Sequence, residues 1–341
     1  MPASAPVCCG ARSSIGSSGL RYADIRLSEY GQRSAGAQTS VRVSSPGAHV
    51  WSYSCVHEPF VGDRGTVVSR FNEADASGYE VSVTGDTLEV SYQGFAVFTF
   101  DSSLGLVTGF PEKHVTDLTM SHLLLDQVLP LLLAWTGRHV LHASAVAVAT
   151  DDGPQALVLL GDSGAGKSST AYAASEVGAE LLADDFVVVG STDGRPALLG
   201  IDQRGVRLWD DSVADLEPAT GSERVSQHNL KRRVLVTSGP TPDTLPVLAV
   251  LALEKRRPSG ATPALSPMLP LATTMRLLHH SFRLDPTDRL ALEHTLDASA
   301  GLADRVPGFE VRMPADLPGL RSACRILLEK VLASVSEAPI R

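Results

Sequence analysis

The chain has 341 residues, of which 43% are hydrophobic and 20% charged, as in ordinary soluble globular proteins. Its formal charge of −9 argues against a general attraction to nucleic acid or anionic lipid, so neither partner is expected. The 4 cysteines are too few for a disulfide scaffold and include no CxxC pair, which favours reduced thiols in a cytoplasmic protein.

The N-terminal third divides into two predicted regions. Residues 1–45 are rich in Ser, Gly and Ala, so we expect a partly disordered segment. Its first residues lack the basic start and apolar core of a signal peptide. Residues 46–115 contain short alternating runs, such as YEVSVTG and FAVFTF, that are separated by turn residues. This pattern predicts a small antiparallel β lobe.

Residues 116–341 are predicted to form a second, α/β domain that begins with a helix over 117–136. Pro130 should kink this helix or start a second segment. Its most apolar part, 123–135, is shorter than the ~20 residues of a membrane span, so no membrane anchor is expected. Two apolar strands follow, over 139–150 and 154–161, and the second leads directly into GDSGAGKSST.

This glycine-rich segment matches the Walker A pattern G-x-x-x-x-G-K-[ST], and a helix-competent stretch over 167–177 follows it. The match predicts a nucleotide phosphate as ligand and Mg²⁺ as cofactor. Lys167 would reach the outer phosphates and Ser168 would contribute its hydroxyl to the Mg²⁺ shell. The predicted nucleotide-binding residues are Gly161, Asp162, Ser163, Gly164, Ala165, Gly166, Lys167, Ser168 and Ser169.

Two further features accompany the loop. Asp184 and Asp185 lie within the apolar run ELLADDFVVVG, where buried carboxylates need a cation or strong donors, unless the pair is a solvated turn. Because successive strand side chains point to opposite faces, we expect the two acids to differ in role. His142 is either a core histidine or, if its strand forms a hairpin with the next, a neighbour of the outer phosphates.

Together, LHASAVAV and LLGDSGAGKSSTAYAASEVGAELLADDFVVV resemble the HPr kinase/phosphorylase superfamily, whose fold is related to phosphoenolpyruvate carboxykinase. The resemblance implies a P-loop kinase core of that type. It implies that Asp184 is the base for the acceptor hydroxyl and that Asp185 and Ser168 bind the metal, although the acids could exchange roles. His142 matches the family's histidine near the transferred phosphate, and relatives can be hexameric, which leaves a homo-oligomer open.

Weaker candidates lie downstream. Lys231, Arg232 and Arg233 are either phosphate contacts or a solvated basic loop, and Glu254 to Arg257 resemble a charged strand end. His279 and His280 are expected on a helix surface. Trp209 is expected in the core, with stacking on a base as the alternative.

The sequence therefore predicts an ATP- and Mg²⁺-dependent kinase that transfers the γ-phosphoryl group to a hydroxyl, most simply a serine of a peptide or small-protein acceptor. Ser169 stands where HPr kinases carry glutamate, and the family's C-terminal signature is not reproduced. Two alternatives stay open for these reasons. One is a nucleotide-binding regulator that presents a peptide to a partner enzyme, and the other is a kinase of free serine or a small organic acid.

Overall fold

The computed structural model describes residues 38–39, 52–57, 60, 65–71, 78–101, 105–199, 205–216, 218, 222–225, 231–236, 244–254, 262–285, 287–315 and 317–337. Apart from 38–39, the segment expected to be disordered lies outside these residues. Positions 255–257, which were interpreted as part of a charged strand end, also lie outside them. The architecture is a mixed α/β fold with separate sheets, which agrees with the predicted fold class at that level. The division into domains stays a prediction.

The strands, in chain order, are β1 Gln38–Thr39, β2 Ser52–Cys55, β3 Thr66–Phe71, β4 Tyr79–Thr84, β5 Thr87–Tyr92, β6 Ala96–Asp101, β7 Leu106–Pro111, β8 His139–Leu141, β9 Ser144–Thr150, β10 Gly153–Leu160, β11 Glu180–Ala183, β12 Val187–Thr192, β13 Arg195–Leu199, β14 Gly205–Trp209, β15 Glu223–Arg224, β16 Lys231–Leu235, β17 Thr244–Leu253, β18 Ala264–Met268 and β19 Gly308–Arg312. The helices are α1 Asp117–His122, α2 Leu129–Trp135, α3 Lys167–Ser175, α4 Asp210–Leu216, α5 Pro270–His279, α6 Arg289–Ala303 and α7 Leu320–Glu337, with a π-helical segment, Leu123–Val128, between α1 and α2.

The first sheet has the order β1-β2-β7-β6-β5-β4-β3 in the described part of the chain. Strands β3 to β7 form the antiparallel meander that alternation predicts, because one face is buried and the other is open to solvent. Strand β2 differs from the prediction, since it runs parallel to β7 and lies between β7 and β1. Alternation sets which face of a strand is buried, but not the direction of its partner.

The predicted helix over 117–136 is interrupted rather than simply kinked. After α1, the π-helical segment widens the turn, and α2 begins at Leu129 with Pro130 in its first turn, where its missing N–H has no intrahelical role. The helical stretch packs on the first sheet in one core with Phe98 and Phe100. By length and composition alone, Asp117–Trp135 would pass as a membrane-crossing helix, and 56% of its most apolar window is buried in the molecule.

The second sheet has the order β11-β9-β10-β17-β13-β12-β8 in the described residues, with β19 beside β17 and β18 beside β19. Strands β9 and β10 form the predicted hairpin, and β10 continues parallel to β17. Strands β14, β16 and β15 form a small third sheet that shares a core with α3 and α7. Helix α3 directly follows the loop after β10, so the loop lies where these layers meet.

One buried histidine at the start of β8 makes stability depend on pH. Nε2 of His139 lies 3.2 Å from the hydroxyls of both Ser281 and Ser299. Burial, with a smaller contribution from His294, lowers the pKa of His139 from about 6.5 to about 4. Between these values the unfolded chain binds a proton that the folded chain does not, so the free energy of unfolding should fall as pH decreases.

We expect this one group to contribute a slope of about 1.4 kcal/mol per pH unit between pH 6.5 and 4. Urea unfolding of the protein and of His139→Gln across this range measures the slope. The substitution should lower the slope by this amount, because other buried histidines such as His142 also contribute, whereas His294→Gln, at an exposed position on α6, should leave most of it. An unchanged slope in His139→Gln would show that the histidine titrates normally.

Candidate functional site

The glycine loop runs from Gly161 to Gly166, between β10 and α3, in the context that the sequence predicts. Gly166 precedes α3 with φ of 94°, a left-handed conformation that favours glycine, and Gly164 has φ of 79°. The first amides of α3 have no intrahelical acceptors and concentrate partial positive charge at the loop. This geometry is suited to an anion such as a phosphate.

Lys167 is almost fully buried at the start of α3. Its Nζ donates a hydrogen bond of 2.5 Å to the carbonyl oxygen of Gly161, so the side chain folds back over the loop. Burial lowers the pKa of Lys167, and the nearby carboxylates of Asp184 and Asp185 oppose that effect. The ammonium group therefore lies among the loop carbonyls and the acidic pair, rather than in solvent.

The strand predicted over 139–150 and the apolar run over 180–190 are both interrupted, and the interruptions face each other. Strand β9 pairs with β11 and β8 pairs with β12, both antiparallel, but the ladder opens between them at His142 and at Asp184–Asp185. At this opening Asp185 has φ of 69°, which is uncommon for a residue other than glycine. Strained backbone of this kind is frequent at functional sites.

His142 bridges the opening. Its Nδ1 donates a hydrogen bond of 2.8 Å to the backbone carbonyl of Asp185, and its own amide donates to the carbonyl of His280 at 2.7 Å. Burial, followed by the charge of Lys167, lowers the pKa of His142 to about 4. At neutral pH the imidazole is therefore neutral. Because Nδ1 carries the proton, Nε2 has a free lone pair.

Asp184 is completely buried. Its Oδ1 accepts a hydrogen bond of 2.6 Å from the Ser144 hydroxyl, and its Oδ2 accepts one of 2.8 Å from the backbone amide of Arg207. Burial raises the pKa of Asp184, and the neighbouring charge of Asp185 raises it further. The base expected from the sequence thus has both oxygens engaged inside the protein and does not border the cavity described below.

Asp185 has the opposite environment. Its side chain is partly exposed, and Oδ2 lies 3.2 Å from Nε of Arg207. Burial acts to raise the pKa of Asp185, but the positive charges of Arg207 and Lys231 outweigh it, so the pKa is lowered. Asp185 therefore stays ionised at neutral pH. The two acids therefore differ in environment, while their different roles stay a prediction.

Arg207 is the buried cation that joins this acidic group. Its guanidinium forms a two-point contact with Asp126, with Nε 2.6 Å from Oδ2, while it also reaches Asp185. His122 donates to the same Asp126 carboxylate at 2.6 Å. Burial alone would lower the pKa of Arg207, but the surrounding acids, Asp126 first, raise it above its ordinary value. The guanidinium is thus permanently charged.

These groups surround one cavity of about 210 Å³ at the mouth of the loop. Its lining residues are His142, Asp162, Ser163, Gly164, Gly166, Lys167, Ser168, Ser169, Asp185, Arg207, Leu208, Trp209, Ser212 and Lys231. Of the residues predicted from sequence, the lining lacks Gly161, Ala165, Asp184, Arg232 and Arg233. The structure therefore brings most of the predicted residues together on one surface.

The basic triplet divides into three environments. Lys231 borders the cavity, with its Nζ 5.5 Å from the centre of the Trp209 ring. Arg232 donates to the side chain and backbone of Ser222 at 2.7 and 2.9 Å, away from the cavity. Burial lowers the pKa of Arg233. Only Lys231 of these three is placed to meet a ligand in the cavity.

The sequence favoured a core position for Trp209, and this expectation is wrong. In the structure 45% of the residue's surface is exposed. It lies at the end of β14, where the strand gives way to α4, and it borders the cavity. This position is compatible with the alternative, in which Trp209 stacks on a base.

Sequence reasoning missed three residues that hold the candidate site together: Arg207, Asp126 and Ser144. Asp126 was visible as an acid that interrupts an apolar helix, and this is a signal for a buried partner. Arg207 gives no such signal, since it lies in the short strand GVRLW and its partner is 81 positions away. Ser144 is one small residue among many.

Comparisons with known proteins give little further identification. No protein-family model matches the chain, and no curated protein matches it. Among solved structures, an HPr(Ser) kinase/phosphatase from Coxiella burnetii is similar over 56% of this chain and 97% of that chain, with 12% identity and a TM-score of 0.27. A similarity of this size leaves function to be argued from the site.

Replacing Arg207 tests the buried acidic group. Arg207→Met leaves Asp126, which is 4% exposed, without its cation, so we expect the free energy of unfolding to fall by about 3–5 kcal/mol in urea titrations. The matched control is Arg232→Met, which loses its hydrogen bonds to Ser222 in a half-exposed place and should cost about 1 kcal/mol. Equal costs in the two variants would contradict the assignment.

Trp209 provides an optical signal for binding. Because the indole borders the cavity, a nucleotide that enters should change its surroundings, and we expect ATP with Mg²⁺ to alter tryptophan fluorescence saturably. The chain has 3 tryptophans, so Trp209→Phe is the control that should remove the change. A full signal in Trp209→Phe would place the nucleotide elsewhere.

Proposed function

We propose that the protein is an ATP- and Mg²⁺-dependent phosphotransferase that moves the γ-phosphoryl group to a hydroxyl, with a serine of a peptide or small protein as the acceptor. The observation that carries the proposal is the composition of the cavity. A glycine loop, a lysine, an ionised carboxylate and a neutral imidazole all border one space. Phosphoryl transfer needs positioning and charge stabilisation, and these groups supply both.

The loop and the first turn of α3 bind the phosphates in this proposal. Backbone amides of residues 161–169 donate to phosphate oxygens, and Lys167 exchanges the Gly161 carbonyl for a phosphate oxygen. Lys231, at the other side of the cavity, neutralises charge on the transferred group. Trp209 offers an exposed aromatic surface for the nucleoside or the acceptor.

The donor set fits Mg²⁺, which prefers oxygen ligands. Ser168 contributes a hydroxyl and Asp185 an ionised carboxylate, and both border the cavity. When bound, the cation would neutralise negative charge on the phosphates. In the absence of the cation, Arg207 keeps Asp185 ionised and fixes its direction.

His142 is the group that we assign to the acceptor hydroxyl. Its Nδ1–H is committed to the carbonyl of Asp185, so Nε2 accepts a hydrogen bond and then the proton as transfer proceeds. Asp184, which the sequence favoured for this task, becomes a positioning residue because its oxygens hold Ser144 and the Arg207 backbone. It keeps the strand opening in shape.

The choice of serine as acceptor rests on the sequence resemblance between Leu141 and Val189, rather than on the cavity itself. In this proposal the acceptor is a small, uncharged nucleophile that approaches Asp185 and His142, which both border the cavity. A hydroxyl meets this requirement.

The proposal is tested by measuring the transfer of label from γ-labelled ATP in the presence of Mg²⁺ and purified protein. The acceptors are a panel of serine-containing peptides, free serine and small organic acids. We expect transfer to a peptide serine. Lys167→Ala should reduce kcat/KM by about a hundredfold or more, because one preorganised charge on the phosphates is lost. Absence of transfer to every acceptor, with ATP bound, would overturn the proposal.

Two further variants separate the roles at the strand opening. His142→Gln should retain ATP binding and lower kcat by about a hundredfold, the range for loss of a positioned base. Asp185→Asn should weaken the dependence on Mg²⁺ in addition to lowering kcat. Arg232→Met, whose side chain lies outside the cavity lining, is the activity control and should remain near wild type. Equal losses in all three variants would indicate general misfolding.

One observation favours a second function. The expected base, Asp184, is sealed from the cavity, which is compatible with a protein that binds ATP and presents a peptide to a partner enzyme. Three results together would support this regulatory function. They are tight ATP binding measured by fluorescence, no transfer to any acceptor, and co-purification of a partner.

A further inference from the structure

A second group of metal-ligating side chains lies behind the glycine loop and is not used in the proposed reaction. Asp162 follows the first glycine of the loop, and His279 and His280 are at the C-terminal end of α5. Nitrogen and carboxylate ligand atoms of these three residues all lie within 4.8 Å of one another. The tightest pair, His279 Nε2 and Asp162 Oδ1, is 3.1 Å apart.

His280 supplies an independent observation. Only 6% of its surface is exposed, and its imidazole makes an edge contact with the His279 ring, with 4.8 Å between the ring centroids. This contact holds the two imidazoles side by side at the end of α5.

The chemistry of the three ligands selects the class of ion. Two imidazoles and one carboxylate suit Zn²⁺ and similar transition metals, whereas Mg²⁺ prefers oxygen alone. In a tetrahedral site with bonds of about 2.0–2.1 Å, ligand atoms lie about 3.4 Å apart. The observed range, from 3.1 to 4.8 Å, approaches this spacing and needs only small side-chain rotations.

We propose that Asp162, His279 and His280 bind one transition-metal ion of the Zn²⁺ class, at a site distinct from the Mg²⁺ site formed by Ser168 and Asp185. Three protein ligands leave a fourth position for water or for a ligand from the cavity, which Asp162 borders. The ion ties the end of α5 to the glycine loop. Through the hydrogen bond from the His142 amide to the His280 carbonyl, it also connects with the strand opening.

The ion also changes the charge of the cavity. It neutralises Asp162, a carboxylate that would otherwise repel phosphate, so metal binding should strengthen nucleotide binding. Reciprocity then requires that ATP strengthens metal binding by the same factor. This coupling rests on the proposed function, whereas the metal site itself does not.

Co²⁺ is the probe for the site, because imidazole- and carboxylate-bound Co²⁺ absorbs in the visible range when its coordination is tetrahedral. The protein is titrated without nucleotide and with excess Mg²⁺. We expect saturation at one ion per chain and loss of the signal when Zn²⁺ is added. His279→Ala, at an exposed position, should weaken binding by more than about tenfold without loss of folding.

His280→Gln tests the buried ligand, and its fold is checked by circular dichroism before titration. His294→Ala is the matched control, an exposed histidine on α6 outside the cluster, and should bind Co²⁺ as the wild type does. Absence of a visible signal in the wild type, or equal binding by His279→Ala and His294→Ala, would overturn the metal site. Because no nucleotide is present, this result would not bear on phosphotransfer.

Discussion

The buried guanidinium of Arg207 is the group on which the site depends. It contacts Asp126 in the π-helical segment and Asp185 at the strand opening, and its backbone amide donates to Asp184. Three carboxylates in a protein interior would repel one another and raise their pKa values unless a cation compensates. Arg207 supplies that charge and, because guanidinium remains charged when buried, it does so without a change of protonation.

This ion cluster lies where the second sheet opens between its paired strands. At the opening, the Asp185 carbonyl has no backbone N–H of the neighbouring strand as its donor in the described part of the chain. It accepts a hydrogen bond from Nδ1 of His142 instead. Asp185, which has a left-handed backbone, borders the cavity at the glycine loop, while Asp184 remains buried. The glycine loop, a carboxylate and an imidazole thus meet where a strand pair is interrupted.

Local patterns predicted much of this site, and long-range contacts explain the remainder. The glycine loop, the preceding strand, α3 and the β9–β10 hairpin follow from residues that are neighbours in sequence. The strand opening does not, because its acids Asp184 and Asp185 contact Arg207, a residue that is distant in sequence. Trp209 was expected in the core from its aromatic character, yet the end of β14 exposes it. Which acid is sealed and which borders the cavity is likewise decided by tertiary hydrogen bonds.

A crystal structure with Mg²⁺ and a non-hydrolysable ATP analogue tests the central claim, that the strand opening converts a phosphate loop into a phosphotransfer site. The account predicts that the γ-phosphate lies within hydrogen-bond distance of Lys167, with Asp185 and Nε2 of His142 facing it. Asp184 should remain buried against Ser144. A γ-phosphate directed away from the strand opening, or in contact with Asp184, would contradict the account.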